Sequence, residues 1–298
     1  MSHPFQVQEG SLSWPAIVVH GGAGAYARIA AGGAEAAALA ARLGAAIEGS
    51  VDAGWNALNS GDGPLAAVVA AVTHLEDHGW FNAGLGSVPT TAGTVEMDAA
   101  VMDDTGRAGA VACIGWHSPI QAAEAVFRHG GPVLVVGPNA DTFAARCQVP
   151  TLNPAGPDGA HRVESEQGTV GAVAVSADGH FAAATSTGGR AGQLPGRVGD
   201  TPIPGAGLWA QPGCAVAATG TGEAFILAGF SRLVASSHQT GDRLAEALRA
   251  GLEAVGGYGG EGGGIVLGSD HTWAAAFTTR AMARGMRHAA GRTTTVVD

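Results

Sequence analysis

The stretch Gly168-Thr169-Val170-Gly171-Ala172-Val173-Ala174-Val175, followed by Ala183-Ala184-Thr185-Ser186-Thr187-Gly188-Gly189, decides the fold. Both segments are rich in small and β-branched residues, and the residues Ser176-Ala177-Asp178-Gly179 between them have the composition of a tight turn. The pattern predicts a β-hairpin in which one threonine opens the first strand and another closes the second.

The segment that precedes this hairpin has a very different composition. Pro150, Pro154 and Pro157 occur there among Asn, Asp, Gly, Glu and Ser residues, with almost no apolar run. This composition predicts an exposed linker over residues 148–168, in which cleavage of the backbone is tolerated. A cut between Gly168 and Thr169 would give the threonine a free α-amine. With a pKa of ~8, that amine can act as the base that a weakly nucleophilic hydroxyl needs.

Composition indicates a globular protein and argues against several functions. The chain has 298 residues, 46% of them hydrophobic, which is enough for a sizeable core in one or two domains. It contains no lysine, which excludes a Walker-type phosphate loop and a Schiff-base lysine. The formal net charge of -10 also argues against nucleic-acid binding, which needs a clustered basic face.

Cysteine usage and the N-terminal segment bear on the cellular compartment. Cys113, Cys147 and Cys214 lack the spacing of a disulfide framework or a zinc site, so reduced thiols are expected. Residues 1–15 lack the basic start and apolar core of a signal peptide, and no run approaches the ~20 apolar residues of a membrane helix. We therefore expect a cytoplasmic protein.

Hydrophobic periodicity predicts further strands and helices on both sides of the hairpin. Strands are expected at 16–20, 95–103, 109–116, 132–136, 215–218, 262–267 and 273–277. Helices are expected at 34–58, 64–76, 118–129, 139–147, 223–237 and 242–255.

Two sets of residues leave alternative functions open. The glycines of the range 21–24 follow a predicted strand but lack the rest of a dinucleotide fingerprint, so a turn is favoured over a phosphate site. Glu96, Asp98 and Asp103 alternate with apolar residues. This alternation favours a strand with one polar face, and a catalytic carboxylate pair is the alternative.

Histidine and serine residues offer weaker candidates. His74 and His78 have the spacing of metal ligands on a helix, but no third ligand is evident, and surface or loop histidines are favoured. No Gly-x-Ser-x-Gly elbow occurs, which argues against a Ser/His/Asp triad.

Charged residues in the Gly/Pro-rich loop 190–206 allow two interpretations. Arg197 and Asp200 could form an internal ion pair that fixes the loop, which the residues alone favour. They could instead clamp an amino acid, with the guanidinium binding its carboxylate and the aspartate accepting from its ammonium. Further along, Thr219-Gly220-Thr221-Gly222 follows a predicted strand, and its backbone amides and first hydroxyl could stabilise an oxyanion.

Several motifs, in order along the chain, resemble those of the plant-type L-asparaginase / isoaspartyl peptidase family of N-terminal nucleophile hydrolases. The motifs are Val18-Val19-His20-Gly21-Gly22-Ala23-Gly24, Phe81-Asn82-Ala83-Gly84, Thr169-Val170-Gly171-Ala172-Val173-Ala174, Thr185-Ser186-Thr187-Gly188-Gly189, Gly196-Arg197-Val198-Gly199-Asp200 and Thr219-Gly220-Thr221-Gly222-Glu223. Their shared order and spacing, over about residues 16–285, are more specific than any one Gly-rich motif.

The resemblance implies a fold and a maturation pathway. The expected fold is of the α+β class, a four-layer αββα sandwich of the N-terminal nucleophile hydrolase type. Residues 1–298 would form a single domain that cleaves itself into an α subunit, 1–168, and a β subunit, 169–298. Two such units would associate as (αβ)2, without nucleic-acid or membrane partners.

The resemblance also implies an activity, hydrolysis of the side-chain amide of L-asparagine and of the isopeptide bond of β-aspartyl dipeptides, with no cofactor required. Thr169 would be the nucleophile, oriented by Thr187. The remaining roles carried over are an oxyanion site at Thr219 and Gly220, support of the active centre by Asn82, and binding of the substrate's α-groups by Arg197, Asp200, Gly220 and, through its backbone, Gly222. The resemblance thus favours the clamp over the internal ion pair.

A metal ion enters the expectations only through the resemblance. It implies a structural sodium ion in the loop that includes Glu76, Asp77, Trp80 and Phe81, held by backbone carbonyls. Hard cations take oxygen ligands of this kind, and carbonyl ligation leaves almost no side-chain signature. A solvated loop with one buried aromatic residue is the alternative.

The chain departs from the family pattern after the Gly-Gly pair. Many relatives have an asparagine in this loop, where Arg190-Ala191-Gly192-Gln193 stands here. The added charge lies near the expected mouth of the site and leaves substrate preference open. The segment 277–282 also differs from relatives.

Three other functions remain to be weighed. A glycosylasparaginase-like amidase would act on glycoproteins in an oxidising compartment, against which the cysteines and the N-terminal segment argue. A non-cleaving binding protein of the same fold would not need the threonines and charged residues of the motifs together. A nucleotide-binding module is the third.

Overall fold

A computed structural model describes residues 4–153 and 168–295, the last three by their backbone alone. Within these ranges the strands form a five-stranded and an eight-stranded sheet. The strands are β1 Gln6–Ser11, β2 Ala16–Gly24, β3 Met97–Asp103, β4 Ala108–Ile114, β5 Leu134–Val136, β6 Val170–Val175, β7 Phe181–Thr187, β8 Leu208–Gln211, β9 Cys214–Gly220, β10 Gly262–Gly268, β11 Thr272–Phe277, β12 Ala281–His288 and β13 Gly291–Thr295.

Helices pack on these sheets and make the fold a mixed one of α and β elements. They are α1 Ala27–Ala30, α2 Gly33–Ser60, α3 Gly63–Asp77, α4 Pro119–His129, α5 Pro138–Arg146, α6 Gly222–Ala228, α7 Phe230–Gln239 and α8 Leu244–Gly257, and a short 3-10 helix spans Gly84–Gly86. None of the helices in the described ranges has the length and apolar content that crossing a membrane requires.

The predicted hairpin is confirmed, and it lies at the centre of the larger sheet. The strand order there is β13-β12-β2-β6-β7-β3-β4-β5. Val173 pairs with Ala183 in an antiparallel register, and the turn closes with the amide of Ser176 donating to the carbonyl of His180 over 2.9 Å. Both strands are buried along their whole length, which explains their run of small and β-branched residues.

Alternation along β6 assigns its side chains to two different cores. Val170, Ala172 and Ala174 pack in a cluster with residues of α2, α3 and α4, whereas Val173 and Val175 pack in a cluster that also contains residues of β9, β10 and β11. This is the period of two that a strand with two buried faces requires. The larger sheet therefore contacts helices on one face and the smaller sheet on the other.

The smaller sheet has the order β1-β11-β10-β9-β8 and also buries both faces. Ile265 faces the larger sheet, whereas Val266, the next residue, packs in a third cluster with Phe230 of α7 and Leu248 of α8. Apolar side chains thus fill the space between the two sheets and the space between the smaller sheet and its helices.

Some elements differ from the predictions. The helix expected at 223–237 is two helices, because Gly229 adopts a left-handed conformation with φ 59 between α6 and α7. The Gly-rich run after His20 is not a loop, since β2 continues through it to Gly24, where it pairs with Ala281 of β12. Strands β1, β8, β12 and β13 were not predicted. Residues 154–167 of the predicted linker lie outside the described residues.

Strand ends from both sheets meet at one edge of the fold. Thr169 lies at the start of β6, and Thr187 ends β7, its antiparallel neighbour, so the two threonines lie at the same edge. Strand β9 of the other sheet ends nearby at Gly220, which pairs with Gly262. The hairpin register therefore determines which residues meet at this edge.

Candidate active site

A cavity of about 380 Å³ opens at the edge where these strands end. Most of the residues predicted for the site line it: Asn82, Gly168, Thr169, Thr187, Arg197, Asp200, Gly220 and Gly222. Thr219 lies just behind the lining and is fully buried. Glu76, Asp77, Trp80 and Phe81 do not line it. The cavity is thus assembled from segments of both predicted subunits.

The peptide that joins Gly168 to Thr169 is held tightly at the base of the cavity. Gly22 has φ 101, and a Cβ on it would lie 2.7 Å from both the nitrogen and the oxygen of Gly168. On the other side, the hydroxyl of Thr219 would lie 2.5 Å from a Cβ on Gly168. That hydroxyl also accepts a hydrogen bond of 3.2 Å from the amide of Ala23. Glycine is therefore required sterically at both positions.

The Thr169 hydroxyl has a buried partner that sequence reasoning missed. It lies 3.1 Å from the hydroxyl of Thr201, and both residues are buried. Thr201 is in turn anchored by Thr185, whose hydroxyl donates to the Thr201 carbonyl over 2.9 Å. The position of Thr201 directly after Asp200 was the available signal, because the clamp loop brings neighbouring residues to the same cavity.

Thr187 and Asn82 shape the loop beside the nucleophile. The Thr187 hydroxyl accepts from the amide of Gly189 over 3.2 Å. The Asn82 side-chain amide donates to the Gly189 carbonyl over 2.6 Å, and its backbone carbonyl accepts from the amide of Gly188. The buried Oδ1 of Asn82 has no hydrogen-bond partner within the described residues. An acceptor is thereby left available next to the glycine pair.

Arg197 forms an ion pair with Glu223, a residue that the sequence did not single out. Its Nε and Nη2 donate to the two carboxylate oxygens of Glu223 over 3.0 Å each, and its Nη1 donates to Gln193 over 3.3 Å. The internal Arg197–Asp200 ion pair is not formed. A guanidinium has five N–H donors, so two donors, one on Nη1 and one on Nη2, remain for a ligand carboxylate.

Asp200 faces the cavity without a partner for one of its carboxylate oxygens. Its Oδ2 is buried and has no hydrogen bond in the described part of the chain. Burial raises the pKa of Asp200 to about 7, a shift that the nearby charge of Arg197 opposes. Both side chains adjoin Gly222, where a Cβ would lie 2.8 Å from Nη2 of Arg197 and 3.1 Å from Oδ1 of Asp200. An acceptor and a donor thus stand side by side in the cavity.

Carboxylates from the neighbouring strand support this loop instead of forming a catalytic pair. Glu96 accepts from the amide of Gly196 over 2.7 Å. Asp98 is buried and accepts from the amides of Cys113 and Gly199, and burial raises its pKa to about 6. Neither lines the cavity. The alternation therefore reflects carboxylates that hold backbone amides of the clamp loop and of β4.

His20 lies under the hairpin as a neutral residue. It is fully buried, and its Nδ1 accepts from the amide of Gly22 over 3.3 Å. Burial lowers the pKa of His20 to about 3, with the Thr169 backbone acting in the opposite direction. A Cβ on Gly171 would lie 2.4 Å from its Nε2. His20 therefore packs against the strand that carries the nucleophile and does not line the cavity.

The donor set of the loop after α3 fits a hard cation. The carbonyl oxygen of Glu76 lies 2.5 Å from the Cβ position of Gly84, and the carbonyls of Gly79 and Phe81 lie 3.0 and 2.0 Å from that of Gly86. The carboxylate of Glu76 is bonded elsewhere, to Ser118, Ile120 and Ser186. Main-chain oxygens packed on one turn are ligands that sodium or calcium accepts.

The other metal candidate finds no support. His74 and His78 stack with their ring centroids 4.2 Å apart at the end of α3. Within residues 4–153 and 168–295, no group of three or more His, Cys, Asp or Glu side chains could hold a metal ion.

Comparison with known proteins connects this geometry to a family. A family model described as Asparaginase matches residues 13–159 and 152–297. A plant-type L-asparaginase of Pyrobaculum calidifontis is 40% identical over 293 residues, 90% of this chain and 95% of the relative. An isoaspartyl peptidase of Escherichia coli is 37% identical over 308 residues, 94% of each chain. An isoaspartyl peptidase/L-asparaginase of Xenopus laevis is 35% identical over 294 residues, 90% of each chain.

These matches extend over nearly the whole chain and include the segments that form the cavity. They agree with the order of motifs around Thr169 and with the clustering of the motif residues at one edge of the two sheets. The chain therefore belongs to the asparaginase family that includes plant-type L-asparaginases and isoaspartyl peptidases.

Proposed function

We propose that this protein is an autoprocessing threonine amidohydrolase. It hydrolyses the side-chain amide of L-asparagine and the isopeptide bond of β-aspartyl dipeptides and releases L-aspartate. One observation carries the proposal: the buried hydroxyl of Thr169 shares a single cavity with Arg197 and Asp200. The names of the relatives support the substrate class.

Maturation begins with the intact peptide between Gly168 and Thr169. The Thr169 hydroxyl attacks the Gly168 carbonyl carbon, the C–N bond breaks, and the acyl group moves from nitrogen to oxygen as an ester. Water then hydrolyses the ester, which leaves residues 1–168 with a carboxylate and Thr169 with a free α-amine. The contacts of Gly168 with Gly22 and Thr219 support this step, because they fix the scissile peptide.

Turnover uses the amine that cleavage creates. The α-amine takes the proton of the Thr169 hydroxyl, which attacks the side-chain carbonyl carbon of the substrate and forms a tetrahedral intermediate. Thr219 and Gly220 stabilise the oxyanion. The amine then passes the proton to the leaving nitrogen, so that ammonia or an amino acid departs. Water hydrolyses the aspartyl ester and restores Thr169.

Binding of the substrate's α-groups falls to the charged pair at the base of the cavity. The two unengaged donors of Arg197 suit the α-carboxylate, and the unpartnered Oδ2 of Asp200 suits the α-ammonium. Gly222 contributes through its backbone, and its lack of a side chain leaves room for the ligand beside both groups. An L-amino acid with a short side-chain amide fits this arrangement.

Architecture and assembly complete the proposal. The three apolar clusters support a four-layer αββα sandwich of the N-terminal nucleophile hydrolase type, formed by one domain whose two fragments stay associated and pair as (αβ)2. The loop of Glu76, Gly79 and Phe81 holds a structural sodium ion through main-chain oxygens, and the chemistry needs no further cofactor. The exposed thiol of Cys147 favours the reducing cytoplasm.

The test is the intact mass of the purified protein under denaturing conditions, with N-terminal sequencing of any fragment. The wild type is expected to give two fragments, one beginning Thr169-Val170-Gly171, and to hydrolyse asparagine or β-aspartyl dipeptides. Thr169→Ala should remain full length, and Thr169→Ser, which keeps a hydroxyl and an amine, should still be cleaved. A Thr169→Ala chain cut at the same bond would overturn the proposal.

A non-cleaving binding protein of the same fold is the main competing function. It predicts an uncut wild-type chain and no turnover. A glycosylasparaginase-like amidase predicts cleavage followed by activity on glycosylated asparagine in preference to both proposed substrates. The mass measurement separates the first of these from the proposal, and a substrate comparison on the mature enzyme separates the second.

A further inference from the structure

Arg190 places an unpaired positive charge on the rim of the cavity. It lines the same cavity as Thr169 and Arg197, and its side chain is exposed. Within the described residues, no hydrogen bond or ion pair engages its guanidinium, whereas Arg197 is bound to Glu223 and Gln193. The cavity therefore contains one arginine that is already oriented and a second that remains available.

The backbone under Arg190 is fixed, although its side chain is exposed. The amide of Arg190 donates to Oε1 of Gln193 over 2.9 Å, and the amide of Gln193 donates back to the carbonyl of Arg190 over 2.9 Å. The turn is tied to the neighbouring segment, because the amide of Gly192 donates to Pro89 and that of Thr91 to Gln193. A turn anchored in this way holds the guanidinium over the cavity mouth.

The side chain of Gln193 also couples the two arginines. Its Oε1 accepts both from the amide of Arg190 and from Nη1 of Arg197, and the residue is buried. The charge of Arg190 reaches Glu223, whose pKa is lowered first by its hydrogen bond from Arg197 and to a lesser extent by Arg190. Arg190 is thus close enough to the clamp to act on the same ligand.

Exposure increases from the base of the cavity to its rim. Thr169 and Asp200 are buried, the side chain of Arg197 is 20% exposed, that of Glu223 is 54% exposed, and Arg190 is exposed. A substrate whose α-groups occupy the base must direct the part beyond its scissile bond toward the rim. Asparagine has only an amide nitrogen there, whereas a β-aspartyl dipeptide carries a second amino acid that ends in a carboxylate.

We infer that Arg190 binds the free C-terminal carboxylate of the leaving amino acid, so that the site prefers β-aspartyl dipeptides to asparagine and to β-aspartyl amides. This assignment rests on the proposed function. The chemistry favours it because a guanidinium matches a carboxylate in two parallel hydrogen bonds, and Arg197 supplies only enough donors for the first carboxylate.

The experiment compares three substrates that differ in one group. β-Aspartyl-leucine carries the second carboxylate, β-aspartyl-leucinamide replaces it with a neutral amide, and asparagine lacks the second residue. Mature wild type, Arg190→Gln and Arg190→Glu are assayed beside the control Arg146→Gln, which removes an exposed arginine of α5 outside the cavity. Intact mass confirms that every variant is cleaved before the assay.

The expected result is selective. Arg190→Gln should lower kcat/KM for β-aspartyl-leucine about fivefold through KM, the size of effect that loss of a solvent-exposed charge pair gives. Arg190→Glu should lower it about tenfold or more, while the other two substrates and the Arg146→Gln control stay near wild type. Raised ionic strength should reduce the wild-type preference for the acid over the amide.

Other outcomes overturn the inference in distinguishable ways. Equal losses on all three substrates would assign Arg190 to the shared α-groups, and unchanged kinetics on β-aspartyl-leucine would show that the rim does not read the carboxylate. A mature wild-type enzyme that hydrolyses none of the three would overturn the proposed function and this inference with it.

Discussion

The hydroxyl oxygen of Thr201 lies 3.1 Å from the hydroxyl oxygen of Thr169, and both side chains are buried. A threonine side chain has few rotamers, and a hydrogen bond to a fixed neighbour selects one of them. Thr185 fixes that neighbour by donating to the carbonyl of Thr201. The Thr201 hydroxyl therefore aims the proposed nucleophile before and after cleavage.

Replacing Thr201 with valine should slow the chemistry without weakening substrate binding. The change keeps the shape and removes one hydrogen bond of about 1 kcal/mol, so autocleavage and kcat should each fall about three- to tenfold, with KM nearly constant. Thr201→Ser keeps a hydroxyl and should stay closer to wild type. Fragment formation over time and steady-state kinetics measure both effects, and a Thr201→Val enzyme with unchanged rates would show that the contact does not orient Thr169.

Gly22→Ala should block maturation. A Cβ at this position would lie 2.7 Å from two backbone atoms of Gly168, and φ 101 is unfavourable for alanine. The scissile peptide must shift, and a displacement of about 1 Å can reduce a rate on the order of 100-fold. Gly256→Ala, on the exposed side of α8 with nothing within 4 Å, is the control and should cleave normally. Intact mass after timed incubation gives the answer, and normal cleavage of Gly22→Ala would contradict it.

The parts of the fold that were predictable share strong local patterns. The central hairpin combines alternating small and β-branched residues with a recognisable turn, and it was located correctly. Strand β1 was missed because its pairing is non-local, with Gln6 opposite Phe277. The break at Gly229 was missed because one left-handed glycine within an apolar helical pattern gives no signal that distinguishes a kink from a continuous helix.

The candidate site shows the same limit. Motif order brought Arg197 and Asp200 to attention, and the structure places both in the cavity. The pairing of Arg197 with Glu223 depends on how α6 packs against the clamp loop, which no local pattern encodes. Glu96 likewise reaches the amide of Gly196 from a strand about a hundred residues earlier in the chain, so its supporting role could be identified only in the folded protein.

Glu223→Gln should weaken substrate binding by releasing Arg197. The Glu223 carboxylate takes two donors of the guanidinium and leaves the opposite edge facing the cavity, so its loss frees the side chain to adopt other rotamers. The pair is partly exposed, and KM for asparagine should therefore rise only about three- to fivefold, with kcat preserved. A lower KM would mean instead that Glu223 competes with the substrate carboxylate for Arg197.

The pH dependence of KM should report on Asp200. Burial raises its pKa to about 7, so in the free enzyme the group is protonated below that pH and cannot pair as an anion with the α-ammonium. KM for asparagine should therefore rise as pH falls from about 7 to about 5. The bound ammonium favours the ionised form, so kcat should fall less steeply than kcat/KM over the same range. Asp200→Asn should show a high KM with little pH dependence, whereas a wild-type KM that is constant over this range would contradict the role of Asp200.

Glu76 connects the proposed cation loop to the strand that ends at the site. Its carboxylate accepts from the hydroxyls of Ser118 and Ser186 over 2.8 and 2.6 Å and from the amide of Ile120 over 3.0 Å. Burial raises its pKa to about 7, although these three hydrogen bonds oppose the shift. The native protein therefore holds a proton on Glu76 at pH values where the unfolded chain has already released it.

Glu76→Gln should remove a pH-dependent loss of stability. Between the ordinary pKa of 4.5 and about 7 the native state binds one more proton than the unfolded state, so wild-type stability from this group falls as pH rises through that range, by as much as about 3 kcal/mol. The amide cannot ionise, and its advantage over wild type should grow from pH 5 to pH 8 in denaturant unfolding. Glu76→Ala leaves three buried donors unsatisfied and should be less stable than wild type at both pH values. A wild-type minus Glu76→Gln difference that is constant with pH would show that the native carboxyl titrates normally.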